Sequence, residues 1–137
     1  MSEEKLCAFS KPILGDWCRC SQARLAEHCS GKMNCGADTS VWRECENLSQ
    51  ILRQNSRFVF GLSQLENNLT HQQMMKIRCG GLLGMQKVLG KYNGEPFVVR
   101  EIVGDTFMRY GRLENFPYSE IMPFIKAFSL REKQRKR

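Results

Sequence analysis

Five of the seven cysteines of this 137-residue chain fall between Trp17 and Cys45, and no other feature limits its possible folds as strongly. The run opens Trp17-Cys18-Arg19-Cys20, then reaches Cys29, Cys35 and Cys45, whereas the sequence beyond holds only Cys79. Seven is an odd number, and the first residues lack the basic and apolar regions of a secretory signal. An intracellular, cytoplasmic and reducing setting is therefore expected. There a disulfide framework is the weaker account of such a cluster, and metal ligation the stronger.

The spacing narrows the chemistry without closing it. Structural zinc sites favour paired C-x2-C to C-x4-C knuckles, because zinc–sulfur bonds of about 2.3 Å bring tetrahedral sulfurs to about 3.8 Å of one another. Here the pattern is C-x-C followed by gaps of eight, five and nine residues. An extended Cys18-Arg19-Cys20 sends both thiols to one side with Cα atoms about 6.6 Å apart, a span that suits two corners of an iron–sulfur cluster better than one ion. A turn there would reopen the zinc reading. The expected cofactor is a 4Fe–4S cluster on Cys18, Cys20, Cys29 and Cys35, with Cys45 or Cys7 as a further or substitute ligand, and zinc as the alternative. His28 is a possible replacement ligand beside Cys29. Trp17 is a candidate shield for the centre, and amides near Gly31 and Gly36 are candidate donors to its sulfurs.

Three segments are expected. Residues 1–45 form a cysteine-rich, cluster-binding stretch, 46–128 a scaffold of helices and one hairpin, and 129–137 a basic tail, all within one domain. Pro12 and Gly15 argue against a helix in the entry, and residues 17–37 read as irregular loop with a helical turn or two around Gln22 to His28. Asp38, Thr39 and Ser40 offer N-caps for an amphipathic helix over 40–54 carrying Val41, Cys45, Leu48 and Leu52 on one stripe. Capping boxes begin at Ser63 and Thr70, and the second opens a helix to Leu89. Within it Gly80, Gly81 and Gly84 each sacrifice about 1 kcal/mol of helix propensity, so either another element approaches closely there or the helix kinks. The β-branched runs Phe97–Val103 and Thr106–Arg112 flank Gly104-Asp105 and predict a β-hairpin near residues 97–112. A final helical stripe follows: Ile121, Phe124, Ile125 and Phe128. The fold class is α+β, mostly helical.

An apolar fraction of 42% with 26% charged residues is that of a globular protein, and no run of residues is apolar enough for a transmembrane segment. The net charge of +7 is concentrated in the tail, where Glu132 is the one acid among Lys and Arg. Such a tail attracts polyanions. Lys11, Arg19, Arg24, Lys32 and Arg43, in or beside the cysteine cluster, are also suited to offsetting bound thiolates.

No nucleophile–base pair or phosphate loop is recognisable, so catalysis is not indicated. The function expected is that of a small iron–sulfur protein in electron transfer or redox sensing. It would serve as an accessory subunit or regulator that docks on an acidic protein partner or a larger complex. The alternative is a zinc-stabilised module whose basic C-terminal helix binds nucleic acid.

Overall fold

The computed structural model describes residues 6–15, 17–20, 22–25, 33–59, 70–90 and 97–128. Along the chain run α1 (Ser10–Leu14), β1 (Cys18–Arg19), β2 (Ala23–Leu25), β3 (Met33–Cys35), α2 (Thr39–Val59), α3 (His71–Leu89), β4 (Phe97–Val98), α4 (Val99–Tyr110), a 3-10 turn (Leu113–Asn115) and α5 (Tyr118–Ala127). The protein is mostly helical with small sheets, which places it broadly in the α+β class.

Helix α3 is the axis of the assembly, and α1, α2, α4, α5 and β4 all contact it. Its start is the expected capping box: the Gln73 N–H donates to Thr70 Oγ1 at 3.1 Å, and the Thr70 N–H donates to Gln73 Oε1 at 2.9 Å. The helix runs through its three glycines unbroken and ends at Gly90, whose φ of 69° is the left-handed cap that glycine adopts readily. Close approach explains the glycines. A Cβ on Gly80 would lie 2.6 Å from the Ile125 Cα, and one on Gly84 would lie 3.0 Å from the Ile121 Cα. Both pairs are four residues apart and run in opposite directions, so α5 lies antiparallel in a groove that only glycine leaves open. Gly81 meets α2 instead, with Leu52 Cδ1 at 2.8 Å from a hypothetical Cβ. Leu48, Leu52, Ile77, Leu82, Met85, Ile121 and Ile125 form the fully enclosed core among these helices.

The expected hairpin over 97–112 is not formed: Phe97 and Val98 make a two-residue strand, and Val99–Tyr110 is helix α4. The β-branched residues that suggest strands also satisfy a helical stripe, because Val99, Ile102, Val103 and Thr106 fall on one buried face. Thr106 satisfies its own hydroxyl within the helix by donating to the Ile102 carbonyl at 2.7 Å. Burial against α3 outweighs the modest helix penalty of branched side chains. Gly104 and Asp105, read as a turn, lie inside the helix.

The cysteine-bearing segment is also more ordered than an irregular loop. Pro12 sits within the first turn of α1, where a proline lacks no needed N–H. Around Ala23 the chain is a strand rather than helical turns. β2 pairs antiparallel with β3, matching Ala23 to Cys35 and Leu25 to Met33, and Leu6 bridges to Asn34 on the other side of β3. β1 pairs parallel with β4, Cys18 opposite Phe97. Trp17 packs edge-to-face on Phe128 at 5.3 Å between ring centroids, so it belongs to the core rather than shielding a thiol centre. No helix among the described residues is long and apolar enough to cross a membrane.

Candidate functional site

Short backbone pairings bring four cysteines from separate elements into one electrostatic neighbourhood. The Cys7 N–H donates to the Met33 carbonyl at 2.8 Å, which fixes Cys7 beside β3, and the Trp42 indole N–H donates to the Leu6 carbonyl at 2.9 Å, which ties the same strand to α2. Cys35 ends β3. The Cys20 carbonyl accepts from the Ala23 N–H at 3.1 Å in the turn leading to β2, whose Ala23 is paired with Cys35. Cys45 sits one turn along α2 from Trp42, on the buried stripe with Leu48 and Leu52.

The thiols feel one another. Burial pushes the Cys7 pKa from its ordinary 9.0 up to about 12; a hydrogen bond from the Phe9 backbone opposes the rise, and Cys20, Cys45 and Cys35 add to it. Cys45 is likewise raised, by burial first, with Arg100 pulling it down and Cys20 and Cys35 pushing it up. Burial and the neighbouring sulfurs together favour the neutral thiol at Cys7 and Cys45.

Arg100 supplies the opposing charge. Its Nη1 donates to Cys45 Sγ at 3.3 Å, and its Nη2 meets Glu44 Oε1 at 3.1 Å. Although its own burial lowers its pKa, the Cys45 and Glu44 contacts outweigh that and leave it raised. A guanidinium shared between a carboxylate and a sulfur holds Cys45 in one orientation and favours its ionised form. Sequence reading missed Arg100 because it was placed in the supposed hairpin. Its one available signal was being the lone cation between the apolar pairs Val98-Val99 and Ile102-Val103. Of the cations proposed to compensate the thiols, Arg19 and Arg43 are exposed, Lys11 lines a pocket beside Cys7, and Lys32 and the Arg24 side chain lie outside the described residues.

Of the expected ligands, Cys20, Cys35 and Cys45 lie near enough to Cys7, expected as a substitute ligand, to act on its pKa. Cys18 is buried in the core at 1% exposure, opposite Phe97, yet lines one open pocket together with Cys20, Arg19 and Met33. Cys29 and His28 lie outside the described residues, as do the capping box at Ser63, Gly31 and the basic tail with its expected nucleic-acid role. Cys79 is fully enclosed in α3. All six described cysteines are free thiols. Among the described residues, no three His, Cys, Asp or Glu side chains close to the radius of a single metal ion.

Comparison with known protein families, with curated proteins and with solved structures finds no match for this chain.

Proposed function

We propose that the protein is a small iron–sulfur protein of electron transfer or redox sensing, with a 4Fe–4S cluster held by thiolates of Cys7, Cys20, Cys35 and Cys45. The observation supporting this reading is the crowding of cysteines in one segment, five of seven lying between Trp17 and Cys45, with Cys20 and Cys35 both contributing to the raised pKa values of Cys7 and Cys45. A cluster is preferred over zinc on the sequence spacing, because one zinc ion gathers sulfurs to about 3.8 Å and draws on paired knuckles, whereas this chain offers C-x-C followed by gaps of eight, five and nine residues. Arg100 would donate to a ligand sulfur and offset cluster charge, the ordinary means by which a protein raises a reduction potential. An accessory role, with the basic surface docked on an acidic partner, fits the net charge of +7.

The test is full-length protein purified without oxygen. It is expected to be brown, with broad visible absorption and about four irons and as many sulfides per chain. A colourless protein carrying one zinc per chain would overturn the reading in favour of a zinc-stabilised module.

A further inference from the structure

A second site lies on the other side of Cys7, and it does not depend on any metal. Residues 6–8 and α1 face α2 and α3 across a pocket of about 220 Å3, whose wall includes Cys7, Ser10, Lys11, Glu46 and Arg78. Liquid water occupies about 30 Å3 per molecule, so the space suits a small organic or inorganic ligand.

Arg78 is the reason to look there. Its Nε is enclosed without a hydrogen-bond partner, while the residue as a whole is only partly buried and lines the pocket. Glu46, the one acid on the wall, does not close to an ion pair with it. Burial and the neighbouring Arg53 lower the Arg78 pKa, while Cys7, Cys79 and Glu46 act weakly the other way. Arginine does not shed its proton to escape such a position, and a partly dehydrated guanidinium whose enclosed Nε has no partner costs stability. Lys11 stands exposed at the same pocket, leaving two cations against one acid. Ser10 Oγ already accepts from the Met33 N–H at 2.8 Å, so its own proton is free to be a further donor.

We propose that this pocket binds a small carboxylate- or phosphate-bearing molecule, gripped by the Arg78 fork with Lys11 and Ser10 as supporting donors, beside the Cys7 thiol. An oxyanion matches the planar guanidinium in two-point fashion, two oxygens against two N–H groups. A spherical halide lacks the paired oxygens that fit this fork.

The experiment uses the reduced full-length chain and follows its thermal midpoint during titration with sodium acetate or inorganic phosphate, against sodium chloride at equal ionic strength. Binding to the folded state alone raises the midpoint with ligand concentration. Acetate or phosphate is expected to raise it above the chloride control; a response to both assigns carboxylates and phosphates alike, and a response to phosphate alone narrows the class. Arg78→Gln is expected to lose the response while its anion-free midpoint stays equal or rises, since a costly charge has gone. Lys11→Gln should weaken the response several-fold at an unchanged baseline. Arg78→Lys, which keeps the charge without the fork, serves as well should Arg78→Gln fail to fold, and is expected to respond more weakly. The proposal is overturned if acetate and phosphate act no differently from chloride, or if the Arg78 variants respond as fully as the wild type.

Discussion

The α3–α5 seam and the cysteine-bearing segment are built on opposite terms. In the seam, two helices meet through Gly80 and Gly84, and the contact is backbone against backbone. In the segment around Cys7, Cys20 and Cys35, pieces of two to five residues are held by short strand pairings and single hydrogen bonds, and one indole and one arginine join it to α2, which carries Cys45. The seam is where the fold draws its stability, because large apolar area is buried at close range. The segment costs stability, since its thiols and arginines are partly dehydrated and repel their own kind. Such a division is familiar where a rigid scaffold carries a functional region that local energetics alone would not favour.

The largest effect should follow from filling the seam. Gly80→Ala places a methyl group where the Ile125 backbone already lies, and helix α5 must move. A loss of about 2–3 kcal/mol is expected despite the better helix propensity of alanine, measurable by denaturant unfolding. Gly104→Ala is the counterpart, because nothing stands within 4 Å of its would-be Cβ. It should gain up to about 1 kcal/mol, because its position in α4 is an ordinary helix interior. If Gly80→Ala were as benign as Gly104→Ala, the seam would not be the close contact described here.

In the cysteine segment effects on stability should be smaller and effects on chemistry larger. Arg100→Gln removes a hydrogen bond to Cys45 and a half-exposed ion pair to Glu44, for a loss of about 1 kcal/mol or less. Its clearer signature is at sulfur. With the guanidinium gone the Cys45 pKa rises further, so its alkylation by iodoacetamide at fixed pH should slow while that of Cys20 changes less. Mass-spectrometric mapping of the modified thiols would read this. An unchanged Cys45 rate would mean that the Arg100 contact does not govern its ionisation.

The effect least visible near neutral pH is a pH dependence. Cys7 titrates near 9.0 when exposed and near 12 in the folded protein. The unfolded chain therefore releases this proton first. The contribution of Cys7 is fully present below about pH 9 and declines as the pH climbs toward 12. In metal-free, reduced protein the denaturation midpoint should fall over that window, and Cys7→Ala should flatten the fall. A wild-type curve no steeper than that of the variant would show that Cys7 is less enclosed than the structure has it.

The same contrast explains what the sequence makes legible. Helices α2, α3 and α5 declare themselves through period, caps and stripe, because the residues that make up each buried stripe are near neighbours in sequence. The glycines of α3 reveal a close approach before the partner is known. Strands β1 and β4 are two residues each and exist only because Cys18 and Phe97, far apart along the chain, meet. No local period can announce them. In α4 the local signal misleads, since Val99, Ile102 and Val103 fit either a strand or a buried helix face, and packing on α3 decides. The clustering of cysteines directs attention to the N-terminal segment. It does not reveal which thiols share a neighbourhood, because Cys7 is delivered by pairing with β3, and Arg100 arrives from the far side of the chain.

The central claim, that Cys7, Cys20, Cys35 and Cys45 act together, is met most directly by iron content across single serine variants prepared without oxygen. Substitution at any of the four should strip or sharply reduce bound iron, whereas Cys79→Ser, in the core of α3, should retain it wherever the protein remains folded. Equal iron in the four variants and the wild type, or loss of iron with Cys79 alone, would contradict the account.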